Sequence, residues 1–232
     1  MVRRTRMRTA IRNKGPTSGI ERSLQVNGYC RIAGFDEVGK GAWAGPLTVA
    51  AVVPNLDRRI TGVRDSKMLT ESERENLINR ITDWSLAWSV GHATNDECDA
   101  LGMSEAQKLA AQRAVKKLDM NIDRYLLDGP WNFVGGNKAM NIVRGDATCL
   151  SIAAASVIAK VTRDRMMREA SIKYPGYGFE DNKGYPSKKH REFLAKKGAC
   201  ELHRRSWAFM EGLPDVGAKR REKAGAHPRL FS

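Results

Sequence analysis

Past Gly28 the apolar residues arrive in short, punctuated runs. Tyr29 to Asp36 and Ala44 to Pro54 read as two strands, the second so rich in Val and Ala that both its faces are expected to be buried. The Gly39-Lys40-Gly41 turn between them suits a hairpin. Thr70-Glu71-Ser72-Glu73 is a capping box that opens a helix to about Ile81, and Trp84 to His92 alternates as a third strand. Ser104-Glu105-Ala106-Gln107 starts a second helix, running to about Leu118. Asp96-Glu97, just before it, suits a helix start, where acids interact favourably with the helix dipole. Tyr125 to Leu127 is a short strand ending at Asp128-Gly129-Pro130, and Met140 to Val143 is another, stopped by Gly145-Asp146. Leu150 to about Ala170 forms a long helix in which Ala153, Ala154, Ala155 and Ser156 permit close approach to a sheet. A Gly- and aromatic-rich loop follows, Tyr174 to Tyr185, and then Ser187 caps a short helix over Lys188 to Lys197.

The two ends lack this order. Met1 to Gly28 has no hydrophobic period and contains the linker-like GPTSG, so it reads as a flexible basic arm. Residues 29–213 form the folded domain, with its last helices as a C-terminal extension, and residues 214–232 form a polar mobile tail. Net charge is +14, and Met1 to Cys30 alone holds seven Arg or Lys against Glu21. Such an excess draws polyanions, nucleic acid above all. At 232 residues and 41% hydrophobic composition the chain can bury a core. No run is long enough to span a membrane and the Arg-rich start lacks a secretory apolar segment, so the expectation is a soluble, cytoplasmic protein. Cys30, Cys98, Cys149 and Cys200 are far apart, which fits thiols in a reducing compartment rather than a zinc site.

Carboxylates carry the candidate chemistry. Asp36-Glu37, Asp128 and Asp146 each stand at or near the end of a short apolar run, beside a glycine. In an α/β sheet, neighbouring strand ends converge on one edge. Carboxylates gathered there repel one another unless cations intervene, and hard oxygen ligands suit Mg2+ or Mn2+. Two such ions can activate water and stabilise a leaving oxygen in phosphodiester hydrolysis, so a basic protein with this set is a plausible nuclease. One tension stays open: adjacent residues of a regular strand point to opposite faces, so Asp36 and Glu37 should not share a side. Gly34, Gly39 and Lys40 also fit most of a phosphate-binding loop. Gly41 stands where its Ser or Thr should be, however, the two acids would face the phosphates, and a strand follows instead of a helix.

The segment GFDEVGKGAWAGPLTVAAVV closely resembles the D-E-x-G-[RK]-G-x-x-x-G-P stretch of ribonuclease HII. The resemblance continues through DSKMLT, LLDGP, RGDATCLSIAAASVIAKVTRDR, YGFEDNKGYPSKKH and HRRSWA, from Ile32 to Phe209 and in the family's order. It implies an α/β RNase H-like fold, a mixed five-stranded sheet flanked by helices. It also implies that Asp36, Glu37, Asp128 and Asp146 are the catalytic acids that bind two divalent ions, Mg2+ or Mn2+. The implied reaction is endonucleolytic hydrolysis of the RNA strand of RNA/DNA hybrids and cutting 5′ to single ribonucleotides in duplex DNA, as in ribonucleotide excision repair. The products are a 3′-hydroxyl and a 5′-phosphate. Substrate contacts by the same resemblance are Gly39, Lys40 and Gly41, Lys67 of the D-S-K motif, and Tyr185 of K-G-Y. The resemblance implies that the turn and Tyr185 sense the 2′-hydroxyl that separates RNA from DNA, and that Lys67 meets a phosphate. The Gly-Lys-Gly turn is commoner in the sister family ribonuclease HIII, but the arm is too short for that family's N-terminal domain. Asp164 reads as an ion-pair partner, and His190 and His203 as structural histidines. A monomer is expected. Arg229-Leu230-Phe231 distantly resembles the ending of sliding-clamp peptides. The rival readings are a catalytically silent nucleic-acid-binding protein and a nuclease acting on plain DNA.

Overall fold

The computed structural model describes residues 15–214. The first half of the basic arm and almost all of the polar tail, with its Arg229-Leu230-Phe231 ending, lie outside them. Its centre is a mixed sheet of five strands in the order β3-β2-β1-β4-β5. These are β1 (Ile32–Val38), β2 (Leu47–Val53), β3 (Ala87–Ala93), β4 (Arg124–Asp128) and β5 (Ala139–Ile142). The first three form an antiparallel meander, whereas β4 and β5 run parallel to β1. The sheet is mixed because β1 and β2 are joined by a short hairpin, while β4 returns through a long helical crossover.

Two helical layers cover the sheet. On one face Ala33, Phe35, Val49 and Ala51 pack against Ala106, Ala110, Ala111 and Ala114 of α3 (Asn95–Leu118). On the other, Ala50 and Val52 meet α2 (Glu71–Trp84) and the small-residue half of α5 (Leu150–Lys173). The AAAS stretch does what its size permits. A Cβ at Gly34 would fall 2.4 Å from the backbone of Ser151, so glycine on β1 and small residues on α5 together let the helix rest on the strand. Gly91 does the same for α3, with Ala110 O 2.0 Å from where a Cβ would stand. The short α4 (Gly145–Thr148) precedes α5, and between the C-terminal half of α5 and α6 (Phe179–Asn182) and α7 (Lys188–Lys197) a separate apolar cluster forms around Ala44, Met167, Tyr177, Phe179 and Leu194. No helix among the described residues is long and apolar enough to cross a membrane.

The structure departs from the sequence reading at several elements. The arm assigned to residues 1–28 contains helix α1 (Gly19–Val26), packed through Leu24 against Ile32, Leu126, Cys149 and Ile152. Its other buried side chain is Glu21, a carboxylate, and its apolar face is only Ile20 and Leu24, a single i, i+4 pair that is too short to mark a helix by period. Helix α3 begins at Asn95 behind a Thr94/Glu97 capping box and breaks at Gly102 (φ 76°, ψ 161°) before resuming at the Ser104 start. Strand β1 continues through both acids to Val38 instead of ending at Asp36.

Candidate active site

The register of β1 with β4 assembles the carboxylates. Phe35 pairs with Leu127, so Asp36 and Asp128 follow as next residues at the ends of adjacent parallel strands. Because β1 stays regular here, Asp36 and Glu37 do point to opposite faces: Gly34 and Asp36 face α5, and Phe35 and Glu37 face the α3 layer. Both nevertheless lie near one further carboxylate. Asp128, at the terminus of the neighbouring strand, presses its charge on both. The cluster therefore wraps the end of the sheet rather than occupying one of its faces.

Asp146 joins from α4, directly after the left-handed turn at Arg144 (φ 58°). Its backbone N–H donates to Asp128 Oδ1 at 3.3 Å, and its Oδ2 accepts from Lys67 Nζ at 3.1 Å. Burial, then the charges of Glu37 and Asp128, push the Asp36 carboxyl well above its usual range, against the opposing pull of Ser156 and Lys67. Glu37 is raised by burial and by Asp128, with Lys40 opposing. Asp128 is raised by burial and by Asp146. Burial works against the Lys67 ammonium, but Asp65 and Asp146 outweigh it and hold its pKa above the ordinary lysine value. Three carboxyls that resist ionisation, with one lysine against the fourth, form a set short of positive charge. Among the described residues no three His, Cys, Asp or Glu side chains stand close enough to hold one ion as they are. The all-oxygen, acidic donor set fits a hard divalent cation, and Lys67 already supplies positive charge at Asp146.

A buried hydroxyl chain supports Asp36 from α5. The Ser156 hydroxyl bonds to the Asp36 carboxylate, and Ser66 Oγ lies 2.8 Å from Ser156 Oγ. With Ser156 donating to the acid, Ser66 donates to Ser156. Sequence reading treats Ser156 only as a small packing residue. Its role shows only where the D-S-K turn meets α5.

Next to the acids, the Gly39-Lys40-Gly41 turn is fixed by residues far along the chain. Gly39 N–H donates to Tyr185 Oη at 3.1 Å. Two buried arginines absent from the sequence-derived set hold the segment that follows. Arg163 donates to the carbonyls of Ala44, Pro46 and Lys183, and Arg204 to those of Lys40 and Gly45. Burial pulls the Arg163 guanidinium down to about 10, which leaves it charged at neutral pH. Gly39 (φ +92°) has no room for a side chain, since a Cβ would meet Arg163 Nε at 2.4 Å. Lys40 itself is exposed but tethered, its Nζ donating to Gln107 Oε1 at 3.0 Å; that oxygen also accepts from Trp131 Nε1, beyond Asp128. Tyr185 is half-buried, with the Arg163 guanidinium 5.4 Å from its ring centre. Neither arginine stands out in the sequence, since Arg163 lies between Thr162 and Asp164 and Arg204 between His203 and Arg205. Asp164 accepts from Lys160 and pairs with Arg74, away from the four acids.

A model of the family described as ribonuclease HII matches residues 33–210. A ribonuclease HII from Streptomyces avermitilis is 46% identical over 201 residues, covering 86% of each chain. Among solved structures, the ribonuclease H2 of Pyrococcus horikoshii OT3 superposes with a TM-score of 0.66 at 29% identity, over 78% of this chain and 95% of that one. The ribonuclease HII of Archaeoglobus fulgidus, solved in complex with PCNA, gives 0.65 at 27% identity, over 77% and 95%.

Proposed function

The chain belongs to the ribonuclease HII family and is a ribonuclease H enzyme, and from that premise we propose that it hydrolyses the RNA strand of RNA/DNA hybrids and cuts 5′ to single ribonucleotides in duplex DNA. The observation that carries this reading is the gathering of Asp36, Glu37, Asp128 and Asp146 at one end of the sheet, next to the turn that Tyr185 holds.

Asp36, Glu37, Asp128 and Asp146 would hold two divalent ions, Mg2+ or Mn2+. When bound, such ions supply an activated water and stabilise the leaving 3′-oxygen. The chain's own residues do the rest. Ser156 orients Asp36 by hydrogen bond, and Lys67 offsets the Asp146 charge. The exposed backbone at Lys40 and Gly41 meets the 2′-hydroxyl, the feature that distinguishes a ribonucleotide. The Tyr185 ring packs on the adjoining sugar, and its hydroxyl is already fixed by Gly39. Lys40 and Lys67 are both exposed, and each would contact a phosphate of the substrate. All four cysteines are free thiols, in keeping with a cytoplasmic monomer acting in ribonucleotide excision repair. A contact of the Arg229-Leu230-Phe231 ending with a sliding clamp draws support from the PCNA-bound relative. A pull-down in which removal of Pro228 to Ser232 changes nothing would dispose of it.

Three labelled duplexes test the function: DNA with one ribonucleotide, an RNA/DNA hybrid and all-deoxy DNA, each with Mg2+, Mn2+ or EDTA. Metal-dependent cutting of the first two and not the third is expected, with the single cut 5′ to the ribonucleotide. Cutting of all-deoxy DNA, or binding without cutting, would overturn the proposal.

A further inference from the structure

Behind Tyr185 lies a buried pair of histidines that the proposed chemistry does not use. His190 and His203 are both fully buried, and their Nε2 atoms are 2.9 Å apart. The remaining ring nitrogens are also engaged. His190 Nδ1 is 2.9 Å from the carbonyl oxygen of Tyr185, and the Cys200 N–H donates to His203 Nδ1 at 3.0 Å. These partners determine where the protons sit. A carbonyl can only accept, so His190 carries its proton on Nδ1 and leaves Nε2 as an acceptor. A backbone N–H can only donate, so His203 leaves Nδ1 bare and carries its proton on Nε2. The two assignments meet correctly at the shared contact, where His203 Nε2–H donates to His190 Nε2. Every ring nitrogen is satisfied with both rings neutral, and a further proton on either ring would set N–H against N–H or strip Cys200 of its acceptor.

The pair also closes a ring of contacts around the ribonucleotide-reading elements. Arg204, next to His203, donates its N–H to the Trp43 carbonyl and its guanidinium to Lys40 and Gly45. Trp43 follows the Gly39-Lys40-Gly41 turn, and Gly39 N–H returns to the Tyr185 hydroxyl. Tyr185 is thus held at its hydroxyl by the turn and at its carbonyl by His190. We propose that His190 and His203 are positioning residues that fix Tyr185 against the turn and so set the enzyme's preference for a lone ribonucleotide over a continuous RNA strand. This rests on the reading of Tyr185 as a ribonucleotide sensor.

The groups facing the pair do not titrate near neutrality. Burial pushes the Tyr177 hydroxyl up to about 12 and the Cys200 thiol up to about 11, and the charge of Arg205 opposes protonation of His203. Burial and the neighbouring ring pull His203 down to about 3, and burial also lowers His190. The preference should therefore stay flat from about pH 6 to 8, where an ordinary histidine would inflect near 6.5.

The test compares His190→Asn, whose amide N–H occupies the Nδ1 position, with His190→Gln, whose amide sits at the Nε2 position. The readout is the ratio of kcat/KM for the single-ribonucleotide duplex to that for the hybrid, in wild-type and Tyr185→Phe backgrounds. We expect His190→Gln to lower the ratio about five-fold or more, about one lost hydrogen bond. His190→Asn should retain most of it, and His190→Gln should add little once Tyr185 is Phe. Equal loss in both variants, no loss in either, or the same loss in both backgrounds would overturn the proposal. If Tyr185→Phe alone leaves the ratio intact, the sensor reading fails instead. Should His190→Gln not fold, histidine nitrogen NMR of the wild-type protein decides: Nδ1–H on His190 and Nε2–H on His203 are expected at pH 7. The reverse tautomers, or a charged ring, would overturn it.

Discussion

The backbone N–H of Gly39 donates to the hydroxyl of Tyr185, joining residues 146 positions apart at 3.1 Å. Under the role proposed for Tyr185, its hydroxyl is already fixed before substrate arrives. Tyr185→Phe removes that bond, and the loss should show as roughly five- to ten-fold weaker cleavage at a lone ribonucleotide, about 1 kcal/mol. Cleavage of a continuous hybrid should fall less. Single-turnover rates on the two substrates check this, and equal losses would count against Tyr185 as the discriminating group.

Asp36 sits where burial and two neighbouring carboxylates oppose its charge. Asp36→Asn should abolish turnover, exceeding the roughly 10- to 100-fold cost of outer-shell changes at metal sites. The same change should raise the metal-free melting temperature by a few degrees, since about 1 kcal/mol corresponds to about 2–4 °C at this size. Calorimetry in EDTA beside a cleavage assay separates these effects. A variant that melts lower and cuts normally would refute both.

The pH dependence follows from the same repulsion. Asp36, Glu37 and Asp128 hold protons more tightly folded than unfolded, so ionising them opposes folding. Their contribution is most favourable below the unfolded carboxylate value of about 4 and is lost as pH rises through the raised folded values. The stability gap between Asp36→Asn and wild type in EDTA should therefore widen from about pH 4 towards 8. Adding Mn2+ at pH 8 should narrow it. Denaturant titrations at several pH values provide the measurement, and a gap that shrinks with rising pH would reverse the assignment.

Lys67 places its ammonium 3.1 Å from Asp146 Oδ2. A divalent ion at Asp146 has to compete with that charge. Lys67→Met should lower the Mn2+ concentration that half-saturates binding while weakening substrate affinity at low salt. Isothermal titration with the metal alone detects the first effect. Unchanged or weaker metal binding would show that Lys67 does not compete.

Glu21 of α1 accepts from Ser151 N–H at 2.8 Å and from the Cys149 thiol at 3.1 Å, behind the loop that carries Asp146. Its Oε2 has no hydrogen-bond partner among the described residues. Glu21→Ala leaves the Ser151 donor unmet and should cost about 1–3 kcal/mol. Thermal unfolding tests this, and an unchanged midpoint would mean that the α1 contact contributes nothing.

Much of this was present in the chain. Alternation and small-residue runs marked the five strands and the long α5, and glycines after acids marked the strand ends. Four dispersed acids could be picked out because each interrupts an apolar run. The convergence of Asp36 and Glu37 on Asp128 could not, since alternation alone separates them and only the Phe35 to Leu127 register brings the third acid to the strand end. Helix α1 escaped because it buries a carboxylate where a period expects an apolar residue. Arg163 and Arg204 were silent, and Ser156 and the His190–His203 pair were legible only as packing and structural residues, for a related reason. Each acts on partners far away in sequence, and a hydrogen bond depends on distance and direction that local composition does not contain. The residue types and their order determined the family of fold and the candidate acids. Tertiary packing decided which faces the acids share, how the turn is held, and what stands behind Tyr185, because those follow from where distant backbone groups meet.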